Sequence, residues 1–320
     1  MKNEFPKVPK KEFDYTLSKE QIMNNTRKED VWLGSIENNT WPGFHSRLSK
    51  SKNTTKIKCK AQMLTLYRES AHTPAMVKHC LKQSIAITNF MNPGQIPVNF
   101  CDQPPYAISK QLQWQHAELD ESKVIVMMGG LHIEMAIQSM IGHILKGSGW
   151  TEMLADSNLT TEGRADAMTG SGHVKRKRYG HQVTVKVLHN LKQEAYALDV
   201  IETDIPFEDW ETQCIDAYPQ FFYWDLIMKI EKLYLAFISS LRERDFDKYV
   251  SCLIAICVWM ESFGQRNYKR WLPVHIRDMI NLKNDHPDIY NEFKAGKFVG
   301  QLSDREFSAM SLDQVNTSYA

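Results

Sequence analysis

Apolar positions fall into three patterns along the chain. Between residues 71 and 144 short apolar runs alternate with polar turns. Residues 96–100 and 124–128 are five-residue apolar runs, which fits two strands. The first leads into Cys101-Asp102-Gln103-Pro104-Pro105, the second into Gly129-Gly130-Leu131-His132-Ile133-Glu134. A helix over 106–114 fits between them, with both prolines near its first turn. Upstream, Thr73-Pro74 predicts an N-cap and first helical position, and Asn92-Pro93-Gly94 predicts the stop. Downstream, Met135, Ile137, Ile141 and Leu145 predict a helix over 131–145.

From 145 to 296 the period is helical. Short helices are expected from Gly149-Trp150 and from Thr161, then a long one over 173–197, where Val183, Val187, Leu191 and Ala195 recur at spacing four. Another is expected over 206–217. Tyr223, Ile227, Ile230, Tyr234, Phe237 and Leu241 alternate spacings of four and three, a bundle-facing stripe. Residues 249–263 are apolar nearly all round and read as the bundle's buried centre. Pro273 starts or kinks a helix over 267–282, and Asp285-His286-Pro287 caps a last short one before Gly296. Beyond 296 the runs 298–299 and 307–312 are β-compatible and lead to Asp313, which can begin a helix. The sequence stops at Ala320 soon after, as a truncated copy would. Residues 1–70 are polar without periodicity and read as an extended, partly disordered arm docked by Trp32, Trp41 and Phe44. The expected layout is therefore an N-terminal arm (1–70), the first part of an α/β core (71–144), a helical insertion (145–296) and a return to the core (297–320).

Composition narrows the function classes. Of 320 residues, 42% are hydrophobic and 24% charged, values of a globular, water-soluble chain. A net charge of +1 means that any nucleic-acid contact must come from a local patch, and the densest is Lys175, Arg176, Lys177 and Arg178. That run reads equally as a phosphate-contacting or nuclear-localisation patch and as a solvated helix end. The six cysteines form no CxxC pair, which suggests thiols in a reducing, intracellular compartment. The longest apolar run, 253–260, is too short to span a membrane, and the first residues lack the apolar stretch of a signal peptide.

Candidate chemistry gathers at the strand ends. In α/β folds ligands bind outside the carboxyl ends of strands, and Asp102, His132 and Glu134 all fall there. Two-metal phosphodiester chemistry needs clustered carboxylates from separate elements. Asp102 and Asp313, with Glu134 or His132, form such a set, with Mg2+ or Mn2+ as the cation. The plainer readings are a helix-capping Asp102, a hydrogen-bonded His132 and a dipole-favoured Glu134. His275 and Asp278 share one helical turn and read as a metal pair or as part of a structural network with Arg277 and Trp271.

The segments NPGQIPVNFCDQPPYA, VIVMMGGLHIEMA, GSGWTEML, GRADAM, GHQVT, NYKRWLPVHIRDM and FSAMSLDQ, spread over 71–314, resemble a family of uncharacterised, multi-copy invertebrate proteins of mobile-element origin. Its arrangement in turn resembles transposases with an RNase H-like core carrying a helical insertion. The resemblance implies an RNase H-like α/β sheet core, catalytic Asp102, Glu134 and Asp313, metal ligation by these with His132, and DNA or RNA as partner. It also expects glutamate where Thr317 stands, and a hydroxyl serves Mg2+ less well than a carboxylate, so the implied chemistry is impaired. The alternative is a non-enzymatic helical protein-interaction scaffold.

Overall fold

The structure is a computed structural model describing residues 16–35, 40–50, 58–60, 67–170 and 173–317, without the side chains of 162, 202, 203, 316 and 317. The helix predicted from Thr73-Pro74 is α3 (Pro74–Met91), and the Thr73 hydroxyl accepts from the Met76 N–H. β1 (Val98–Cys101) follows, then α4 (Gln103–Gln115) and β2 (Ile125–Met128). The strands pair in parallel, with Val98 opposite Ile125 and Cys101 opposite Met128. β2 is buried on both faces while β1 is half-buried. α5 (Gly130–Leu145) leaves the end of β2.

The expected RNase H-like sheet is absent. Among the described residues the sheet has two strands, and the only other ladder contact is one antiparallel bridge between Gly300 and Met310. Phe298, Val299 and Phe307 are buried, but they enter the core from irregular backbone rather than from strands. A short apolar run must be buried, yet burial does not require a ladder partner. β2 instead packs against α4 and α12 (Tyr268–Asp285), so helices occupy the places where further strands would lie. The α/β expectation shrinks to one β-α-β unit within a helical protein.

The helices of the middle region are α6 (Trp150–Asp156), α7 (Glu162–Thr169), α8 (Val174–Thr203), α9 (Phe207–Ala217), α10 (Pro219–Glu243), α11 (Phe246–Ser262), α12 and α13 (Pro287–Lys294); α14 (Leu312–Thr317) comes last. α10 is the hub. It packs on α5, α8, α9 and α11, and Ile227, Ile230, Tyr234, Phe237 and Leu241 are all buried. One connected apolar core runs from Trp32 to Ala309, so the expected parts share a single interior.

The arm also differs from its expectation where it is described. Residues 19–33 form α1 (Lys19–Leu33) and 41–50 form α2 (Trp41–Lys50). Ser18 and Gln21 make a reciprocal capping box at the start of α1. Trp32, Leu33, Trp41 and Phe44 are buried and anchor both helices to the body. α1 also buries Asn25 and Glu29, and polar residues on the inner face hide its period from a hydropathy reading. Residues 1–15, 36–39, 51–57 and 61–66 of the arm lie outside the described residues.

Candidate active site

Gly129 is the N-cap of α5 and has no side chain to accept from the first free N–H groups of the helix. Asp313, at the start of α14, takes over that work. Its carboxylate accepts from the Leu131 N–H at 3.0 Å and from the His132 N–H at 3.3 Å. Two glycines permit the approach. A Cβ on Gly129 would overlap the Asp313 carboxylate, and one on Gly130 would lie 2.8 Å from the Ser311 Cβ. The Gly-Gly pair is thus a docking seat for residues 311–313.

The same carboxylate holds His132. Its Oδ2 lies 3.0 Å from His132 Nδ1. The other ring nitrogen, Nε2, is 3.9 Å from Asp102 Oδ2. Asp102 is the N-cap of α4, bonded to the Gln103 N–H, as its plainer reading proposes. The Tyr268 hydroxyl donates to the His132 carbonyl at 3.0 Å and closes one side. Asp313 is buried, whereas the His132 and Asp102 side chains are 32% and 41% exposed, so the Nε2 edge opens to solvent.

Electrostatics follow from this arrangement. The hydrogen bond to Asp313 raises the His132 pKa; burial opposes this in part and Asp102 adds to the rise. Burial alone would raise the Asp313 carboxyl, but the bonds from His132 and the Leu131 N–H outweigh it and hold it below the usual range. The neighbouring Cys101 thiol is pushed up to about 12 by burial, with Asp102 and Asp313 adding to it, and so stays protonated and inert.

Glu134 lies elsewhere. It is buried on the opposite face of α5, where the Arg178 guanidinium grips it through two nitrogens. Tyr234 donates to it at 3.0 Å, and Gln138 donates to the Tyr234 hydroxyl at 2.6 Å. Its carboxylate faces Arg178 rather than Asp102 and Asp313. Among the described residues no three His, Cys, Asp or Glu side chains are grouped to hold a metal ion. Thr317 ends α14, and its side chain lies outside what is described.

The basic run divides in two. Lys175 and Arg176 are exposed; Lys177 and Arg178 are buried, with Lys177 bonded to the Gly170 carbonyl and Arg178 to Glu134. Four consecutive helical residues span most of a turn, so a helix packed on α5 must turn some of them inward. The expectation of four exposed cations is corrected to two.

His275 and Asp278 are structural. Burial, with Lys110 adding, pushes the His275 pKa down to about 3, and its Nε2 lies 2.9 Å from the Tyr249 hydroxyl. Asp278 pairs with Arg277 and Lys110, which both also reach Glu121. Trp271 stacks on Trp114 beside this cluster. Sequence reading missed Glu121 and Lys110 because the partners lie on α4 and the turn after it, more than 150 residues before Arg277.

The family described as a domain of unknown function (DUF8702) matches residues 40–205 and 201–317. The chain belongs to this family. No curated protein and no solved structure matches it. Asp102 and His132 fall in the first matched stretch and Asp313 in the second, so the cluster is assembled across both. Among the described residues no helix is long and apolar enough to cross a membrane.

Proposed function

We propose that Asp102 and His132 hold one divalent cation, and that the protein binds nucleic acid there and performs weak phosphodiester hydrolysis. The observation that carries this reading is the geometry of the ring. Asp313 occupies Nδ1 and leaves Nε2 facing Asp102 Oδ2 across 3.9 Å. That gap is too long for a hydrogen bond. It suits two ligands of one ion, whose bonds of about 2.0–2.2 Å set neighbouring donors roughly 3–4 Å apart. A metal-bound histidine characteristically gives its other N–H to a carboxylate, the position of Asp313. An imidazole ligand favours Mn2+ over Mg2+. The ion would polarise a phosphate oxygen and acidify a bound water. With two protein ligands rather than a carboxylate cluster, binding is weak and turnover slow.

Exposed Lys175 and Arg176, and the resemblance of the motifs to proteins of mobile-element origin, support DNA or RNA as the polymer. An intracellular, nuclear location goes with the same reading. The test is Mn2+ binding followed by calorimetry, alongside nicking of supercoiled plasmid. Asp102→Asn and His132→Gln should each lose most Mn2+ affinity and nicking. Unchanged affinity in both variants would sink the proposal.

A further inference from the structure

α8 is oriented against the usual rule. It turns Lys177, Arg178, His181 and Thr184 inward, where Glu134, Glu231 and Trp150 satisfy three of them. It leaves Val187, Leu191, Leu198 and Ile201 outward, at 39%, 55%, 70% and 79% exposure. Their spacings are four, seven and three, the two-position heptad register of a helix seam, with Glu194 at the one polar place in it. A soluble monomer rarely leaves such a stripe uncovered.

Beside the stripe lies a groove of about 410 Å3, nearly all apolar. Val187, Leu188 and Leu191 of α8 form one wall, and Phe221, Trp224 and Met228 of α10 line the other side. The groove flanks the middle of α8, while the ridge of Leu198 and Ile201 stands on its last third, which is mostly exposed. We propose that α8 is the interface of an antiparallel homodimer in which Leu198 and Ile201 of each copy fill the groove beside Leu191 of the other.

Self-complementarity favours a second copy over an unrelated partner. An isologous interface needs a feature and its complement at equal distances on either side of the two-fold axis. An axis between 194 and 195 meets that condition: Leu198 then faces Leu191, and Ile201 faces Leu188. Charge agrees with the direction. α8 carries Lys175, Arg176 and Lys186 in its first half, and Glu194 and Asp199 in its second, with Asp204 at its end. Antiparallel pairing brings Lys186 toward Asp204 and sets Glu194 against Ala195. Parallel pairing would stack Glu194 on Glu194 and leave both grooves empty. The seam from 187 to 201 is about 21 Å long at the helical rise per residue.

Sedimentation equilibrium of the full chain tests this, with Leu198→Glu/Ile201→Glu as the variant. Both side chains are exposed in the single chain, so the variant keeps its fold, checked by far-ultraviolet circular dichroism. The chain should sediment as a dimer and the variant as a monomer, with association roughly a hundredfold weaker or more, as charges in a desolvated interface centre produce. A chain that stays monomeric at its highest soluble concentration overturns the proposal. So does a dimer that persists in the variant, which would place the interface elsewhere.

Discussion

His132 and Glu134 stand two residues apart on one helix and meet opposite fates. Two steps of about 100° put them on opposite faces of α5. His132 sits at the open edge, with one nitrogen held by Asp313 and the other facing Asp102 beyond hydrogen-bonding distance. Glu134 is sealed in, with both oxygens held by Arg178 and a further bond from Tyr234. A group that reacts or ligates needs unfilled bonding capacity. His132 has it and Glu134 does not. The same GGLHIEM segment therefore supplies the candidate chemistry on one side and the rigidity that supports it on the other.

The largest expected effect tests the sealed side. Arg178→Ala strands a buried carboxylate and should cost about 3–5 kcal/mol, read by urea unfolding. Replacing both partners, Glu134→Met with Arg178→Leu, should stay much closer to the parent, because both charges leave together. A single variant as stable as the parent would mean that water reaches Glu134, and the contrast between the two faces would collapse.

Gly129→Ala strikes the seat between the two faces. Its new Cβ must displace the Asp313 carboxylate, which should cost about 1–3 kcal/mol. With the bond to Asp313 lost, the His132 pKa should fall, which an NMR titration of the ring reads directly. A variant that unfolds normally and keeps a raised His132 pKa would show that Asp313 reaches the ring by another route.

Much of this architecture is legible from residue spacing. Thr73-Pro74 announces α3, and the alternation from Tyr223 to Leu241 announces the hub helix with its buried side. The strand ends give Asp102 and His132. The failures have physical causes. Phe298, Val299 and Phe307 are as apolar as strand residues, but hydropathy reports burial and not ladder partners. α1 hides because it buries Glu29, whose partners His45 and Lys248 come from α2 and α11. The Ser18 to Gln21 capping box was the available signal. The fit of Asp313 against Gly129 spans over 180 residues and depends on an absent Cβ, which no local pattern reveals. The inward Lys177 and Arg178 required knowing which face of α8 meets α5.

A pH series sharpens the open side. Asp313 is held below its usual pKa, so its contribution to stability is present above the unfolded value and lost as pH falls through the folded one. His132 is raised, so its contribution is full below the unfolded value and lost as pH rises through the folded one. Both operate together between about pH 4 and 6.5, the unfolded values of the two groups. The stability difference between the parent and His132→Gln should therefore peak in that window and shrink on either side. A difference that stays flat from pH 4 to 9 would show that the ring's charge does not contribute.

The smallest expected stability change separates the two roles open to Asp102. As the N-cap of α4 it bonds the Gln103 N–H, and asparagine caps a helix about as well as aspartate does. Asp102→Asn should then leave unfolding within a few tenths of a kcal/mol of the parent, whereas Asp102→Ala, which removes the cap, should cost about 0.5–2 kcal/mol. A cation ligand obeys a different rule, since a neutral amide oxygen replaces a carboxylate poorly at Mn2+. Measured on one pair of variants, capping predicts that Asn behaves as Asp and Ala does not. Ligation predicts that Asn and Ala lose Mn2+ affinity alike. If Asn retains the parent's Mn2+ binding along with its stability, Asp102 is a cap alone, and the open face of α5 is as structural as the closed one.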